Sequence, residues 1–140
     1  MGQQNPTVMI SLGGNAISPK NESGTIEEQF AHTKESLAAV MGFVKRRYNI
    51  CIAHGNGPQV GAELQRNELT QDIIPPLPLG VLVANTQGAI GYMIQQSLQN
   101  ALYKEDTKRE VVSIISQVKV DRDDPELDDP KKYIGKSYDK

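Results

Sequence analysis

Two short glycine-rich turns carry the residue types best suited to chemistry in this sequence: Gly13-Gly14-Asn15 and Gly55-Asn56-Gly57, the second followed at once by Pro58. Glycine lets backbone N–H groups approach an anion without side-chain obstruction, and a helix that starts at Pro58 adds its positive dipole end. The guest this chemistry suits is an oxyanion. Neither turn continues into Gly-Lys-Ser/Thr and neither has Gly-x-Gly-x-x-Gly spacing, so P-loop and dinucleotide readings fail. Either turn alone could merely reverse the chain; two turns at the ends of predicted strands favour a ligand.

The elements that must position these turns follow from pattern. Val8-Met9-Ile10-Ser11-Leu12 and Asn49-Ile50-Cys51-Ile52-Ala53 are short, mostly apolar runs stopped by glycine, and read as buried strands. Between them, Thr25-Ile26-Glu27-Glu28 matches a capping box, and Ile26, Phe30, Leu37, Val40, Met41 and Val44 recur at helical spacing to about Arg46. The stretch Ile17 to Ser23 has turn chemistry and reads as a loop. Gln59 to Glu68 is helical, Pro75, Pro76 and Pro78 break it, and Leu79 to Tyr103 forms a long helix in which Gly88 and Gly91 allow close packing. Val111 to Val120 is rich in β-branched residues and reads as a further strand, terminated by Asp121 to Pro125. Strands alternating with helices predict a three-layer α/β/α sandwich with a largely parallel sheet, its ligands at the strand C-termini.

Composition narrows the function classes. With 38% hydrophobic and 23% charged residues the chain is an ordinary globular one, able to bury a core without staples. A net charge of −2 with both signs dispersed disfavours nucleic acid. The apolar-leaning segment Leu77 to Leu102 contains Asn85, Gln87, Gln95 and Gln96, so it is not a membrane span, and the N-terminus shows neither an export nor a myristoylation signal. The single Cys51, within an apolar run, reads as a small buried hydrophobe, consistent with a reducing cytoplasm. His32 and His54 form no zinc-like cluster, whereas oxygen-ligated magnesium would leave no such trace. His32 has no partner visible in sequence and reads as a surface or boundary residue.

Ser11-Leu12-Gly13-Gly14-Asn15-Ala16, Ala53-His54-Gly55-Asn56-Gly57-Pro58-Gln59-Val60-Gly61 and Thr86-Gln87-Gly88-Ala89-Ile90-Gly91-Tyr92 resemble, in order, the motifs of the carbamate kinases within the amino-acid kinase superfamily. A fourth block, Gln117 to Asp121 and on through Lys131-Lys132-Tyr133-Ile134-Gly135, resembles the start of that family's protruding subdomain. The resemblance implies an N-terminal carbamate-binding α/β domain over residues 1–121 and the beginning of the subdomain over 122–140, with the C-terminal nucleotide-binding half absent. It implies that Gly13, Gly14, Asn15, Gly55, Asn56 and Gly57 hold carbamate or carbamoyl phosphate, and that Lys132 is the catalytic subdomain lysine. Tyr133 stands where the family has proline, and Lys131 offers an alternative register.

The implied reaction is ATP + carbamate = ADP + carbamoyl phosphate, part of arginine metabolism, with Mg2+ accompanying ATP or ADP in the full-length enzyme. The implied setting is a cytoplasmic homodimer paired through its N-terminal helices. Phosphoryl transfer of this kind needs positioning and charge neutralisation, and the attacking carboxylate is already ionised, so His54 is read as structural. Two other readings remain open: another amino-acid kinase, or a non-catalytic module that binds an anion without turnover.

Overall fold

The computed structural model describes residues 5–19 and 21–131. Strands β1 (Thr7–Leu12) and β2 (Asn49–His54) pair in parallel, in unbroken register from Thr7 opposite Asn49 to Leu12 opposite His54. The segment between them forms α1 (Gly14–Ile17), α2 (Ile26–Ala38) and α3 (Val40–Lys45). Helices α4 (Gly57–Thr70) and α5 (Leu79–Lys104) follow, and a single 3-10 turn at Pro125–Leu127 closes the described chain.

Helix α2 starts where the capping box predicts. The Glu28 N–H donates to Thr25 Oγ1 at 3.3 Å and the Thr25 N–H donates to Glu28 Oε2 at 2.8 Å. The Thr25 N–H, with the Ser23 hydroxyl, holds the Glu28 carboxyl below its ordinary range. The expected continuous helix to Arg46 is instead two helices, divided at Ala39, whose backbone stays in the right-handed helical region so that the chain keeps its direction. Arg47 ends α3 with φ of 61° in a Schellman arrangement: its N–H donates to the Val44 carbonyl and that of Tyr48 to the Phe43 carbonyl. The following residue but one opens β2.

The helices lie on one side of the sheet. Alternation sends Ile10, Leu12, Ile50 and Ile52 towards a core of Ile17, Leu37, Val40, Val44, Ile90, Met93, Ile94, Leu98 and Leu102. The other strand face carries Met9 and, directly opposite it, Cys51. Met9 is 70% exposed and Cys51 is exposed as well, which corrects the expectation of a buried thiol. The phase of β2 puts the isoleucines under the helices, and no described element covers the reverse side.

Ile17, expected in a loop, closes α1 and is fully buried beneath α2. Val111 to Val120 is extended but joins no ladder, contrary to the expected strand. It runs along α5, where residues at successive four-residue intervals hydrogen-bond to it. Gln87 bonds both the N–H and the carbonyl of Ser116, the Gly91 carbonyl accepts from the Ser113 hydroxyl, Gln95 donates to the Val111 carbonyl, and Gln99 bonds the Val111 N–H and the Arg109 carbonyl. A sheet needs a neighbouring strand within hydrogen-bond reach; here side-chain amides on one face of a helix take that part. Among the described residues, no helix is long and apolar enough to cross a membrane.

Candidate functional site

Because β1 and β2 pair in parallel and end together at Leu12 and His54, the two glycine turns emerge side by side. The Gly55 N–H extends the ladder by donating to the Leu12 carbonyl at 3.0 Å. Contact between the turns is close enough to require glycine at two positions. A Cβ on Gly14 would stand 2.9 Å from Pro58 Cδ, and one on Gly55 would stand 3.3 Å from the Gly14 nitrogen. Gly13 and Gly57 have no such neighbour, so their freedom from side chains opens space in front of the turns.

Each turn is also a helix start. Gly13 is the N-cap of α1, and its carbonyl accepts from the Ala16 N–H at 2.9 Å. Asn56 is the N-cap of α4, and its carbonyl accepts from the Val60 N–H at 2.9 Å. Neither N-cap side chain satisfies a helix N–H. Among the described residues, the backbone N–H groups of Gly14, Asn15, Gly57 and Gln59 meet no protein acceptor. Several unpaired amide donors, the N-terminal dipole of a 14-residue helix and no intruding side chain form an open saucer with anion-binding chemistry. The shallow depressions lined by Tyr103 and Thr107 to Glu110, just past the end of α5, and by Tyr92, Gln95 and Gln99, on α5, include none of these residues.

Side chains behind the saucer fix its shape. Asn56 Nδ2 donates to Thr86 Oγ1 at 2.9 Å and approaches the Val83 carbonyl at 3.4 Å, tying the second turn to α5. Gln59 Nε2 donates to Gln29 Oε1 at 3.2 Å, and Gln29 Nε2 in turn donates to the Gly24 carbonyl at 2.9 Å. Gly24 has φ of 72°, the left-handed region that suits glycine. The loop after α1 is anchored a second time, by His32 Nε2 at 2.6 Å from Glu22 Oε2. That bond, and the negative charge of Glu22, Glu35 and Glu28, raise the His32 pKa against a smaller opposing effect of desolvation. His32 therefore has a partner ten residues earlier in the chain, which periodicity did not reveal.

Of the residues singled out in sequence, Gly13, Gly14, Asn15, Gly55, Asn56 and Gly57 come together. Lys132 lies outside the described residues. Lys131, the alternative register, makes an exposed ion pair with Glu126 at 3.2 Å. His54 Nδ1 lies 3.4 Å from the Gly55 carbonyl, a backbone neighbour that fits a structural part. Thr86, Gln29 and Gln59 were not singled out for roles, although Thr86 and Gln59 both stand inside the quoted motifs. Among the described residues, no group of three His, Cys, Asp or Glu side chains converges, so none of them is assigned to magnesium.

No protein-family model matches the chain. Carbamate kinase from Pyrococcus horikoshii is 42% identical to it over 134 residues, a stretch covering 94% of this chain and 43% of that protein. The carbamate kinase-like protein YahI of Escherichia coli is also 42% identical, over 91% of this chain and 41% of its own length. The structure of carbamate kinase from Giardia superposes with a TM-score of 0.91 at 32% identity, over 97% of this chain and 46% of the other. Over almost its whole length the chain is similar to carbamate kinases. Its fold is the α/β fold of those enzymes, and it spans 43% of the length of the Pyrococcus horikoshii relative. The same Giardia lamblia enzyme bound to AMP-PNP superposes with a TM-score of 0.89 over 96% of this chain.

Proposed function

We propose that this chain is the substrate-binding part of a carbamate kinase, the enzyme that interconverts ATP and carbamate with ADP and carbamoyl phosphate. The observation that carries the reading is the juxtaposition of two uncapped helix starts at the ends of paired parallel strands, with backbone donors at Gly14, Asn15, Gly57 and Gln59 unpaired. Carbamate is charged at its carboxylate-type oxygens and carbamoyl phosphate at its phosphoryl oxygens, and such donors balance either anion without a counter-charge. Phosphoryl transfer to an ionised oxygen needs no general base, only alignment of the attacking oxygen with phosphorus and neutralisation of the charge that moves between them. The saucer of Gly13-Gly14-Asn15 and Gly55-Asn56-Gly57 does the aligning, and Lys132, by analogy with the family's subdomain lysine, follows the transferred phosphoryl group.

Mg2+ enters this reading as the companion of ATP or ADP in the full-length enzyme. A cytoplasmic homodimer remains part of the reading, supported by the kinship alone.

The test is titration of the 140-residue chain with carbamoyl phosphate, followed by backbone amide shifts, together with an assay for ATP formation from ADP, Mg2+ and carbamoyl phosphate. Shifts centred on Gly13 to Asn15 and Gly55 to Gln59 are expected. Saturating carbamoyl phosphate without movement of those amides would overturn the reading. Binding without turnover would mark a substrate-binding part, and turnover lost in Lys132→Ala a self-sufficient kinase.

A further inference from the structure

Asparagine is favoured at helix N-caps because its side-chain oxygen accepts an N–H from the second or third helical residue. Asn56 occupies that place on α4, with φ of −141° and ψ of 14°, yet its side chain makes no such bond. It turns the other way and donates through Nδ2 to Thr86 Oγ1 at 2.9 Å, thirty residues along the chain. The Thr86 hydroxyl has one proton, and it is spent on the Val83 carbonyl at 2.8 Å, so towards Asn56 the oxygen can only accept. Thr86 itself is 3% exposed and held within α5, and among the described residues it makes the one side-chain hydrogen bond between the Thr86-Gln87-Gly88 motif and the turn.

The consequence falls on the first turn of α4. Pro58 has no N–H, so the donors left there are those of Gly57 and Gln59. A freely rotating Asn56 would cap Gln59 and consume the donor that an anion needs.

We propose that Thr86 is a positioning residue, which by holding the Asn56 carboxamide away from α4 keeps the backbone donors of that helix open to the anion. The proposal rests on the anion-binding reading above and deepens it: the motif on α5 governs affinity without touching the ligand. The variant that removes only the hydroxyl is Thr86→Val, which keeps the buried volume. In it Asn56 is released to cap Gln59, so the Gln59 amide exchanges with solvent more slowly. Affinity for carbamoyl phosphate then falls roughly fivefold, the factor that competition with an ordinary asparagine cap represents. Thr86→Ser, which retains the acceptor, behaves as the parent chain.

In the double variant Thr86→Val, Asn56→Ala there is no cap to compete, and the Gln59 amide recovers the fast exchange of the parent chain. A purely structural part for Thr86 would not produce that recovery.

Hydrogen exchange of the 140-residue chain, read at Gln59, decides the matter separately from binding. Fast exchange in the parent chain and slowed exchange in Thr86→Val are expected. A Gln59 amide already protected in the parent chain to the level of the α4 interior overturns the proposal even if no variant folds, and so does unchanged exchange in a folded Thr86→Val. A Gln59 amide that stays slow in the folded double variant also overturns it, because something other than the Asn56 side chain would then protect it. Failure of the parent chain to bind carbamoyl phosphate counts against the functional reading instead, and leaves the exchange result to judge the Asn56–Thr86 bond.

Discussion

Gly14→Ala and Gly13→Ala differ by one position in sequence and should part in outcome, because the structure gives the two added methyl groups different neighbours. The Cβ at 14 would lie 2.9 Å from Pro58 Cδ, 3.6 Å from Pro58 Cγ and 3.7 Å from the Gly55 carbonyl carbon. Ordinary contact begins near 3.4 Å, so the turns must separate by about half an ångström, and neither a proline ring at a helix start nor a backbone carbon swings aside as a flexible side chain would. Overpacking of this kind costs about 1–3 kcal/mol, against a gain of about 0.4–1 kcal/mol from the smaller entropy of the unfolded alanine chain. The net expectation is a loss of about 1–2 kcal/mol, or a Tm lower by roughly 3–7 °C for a chain of this size. Gly13 has φ of −66° and open space around it, so Gly13→Ala should match or slightly exceed the parent in stability. Its methyl group nonetheless projects into the space in front of the turns, and carbamoyl phosphate affinity should fall. Urea and thermal unfolding of the three chains provide the assay, with an unchanged m-value as the check that the unfolded states are comparable. A Gly14→Ala chain that unfolds no earlier than Gly13→Ala would refute the close-contact reasoning.

Three further outcomes follow from the geometry. His32 titrates above its ordinary value of 6.5, so its bond with Glu22 stabilises the fold fully below that value, and the contribution is lost as pH rises through the raised folded-state value. An NMR titration of Glu22→Gln should bring the His32 midpoint back towards 6.5, and an unmoved midpoint would exclude Glu22 as the cause. Gln99→Ala removes the amide that bonds the Val111 N–H at 3.0 Å and the Arg109 carbonyl at 2.9 Å, so Val111 exchange should accelerate and stability fall by about 1–2 kcal/mol. Cys51, exposed on the uncovered strand face, should react with a soluble thiol reagent in the folded chain as fast as a free cysteine; protection until unfolding would show that another surface covers that face.

Much of the fold was legible because it is local. The Thr25–Glu28 box spans one helical turn, β1 and β2 are runs stopped by glycine, and the long helix expected from Leu79 to Tyr103 is observed to Lys104. The kinship with carbamate kinases was readable from three motifs, and the sequence and structural relatives agree with it. What failed did so where a partner distant in sequence decides. Val111 to Val120 has β-rich composition, yet a strand is a property of a pair, and the partner that this segment meets is the glutamine face of α5. Ile17 looked like loop because a four-residue helix is too short to display a period.

By itself the sequence determined the residue types: glycines that bare backbone donors, a proline that removes one, a capping box, and short apolar runs that form strands. Tertiary structure alone decided how they are used. Parallel pairing of β1 with β2 brought the two turns together, the reach of α5 placed Thr86 against Asn56, and the absence of any described layer over Met9 and Cys51 left that strand face bare. Helix starts and turns answer to neighbours within a few residues, whereas the meeting of Asn56 with Thr86 depends on how whole elements pack, which no local pattern encodes.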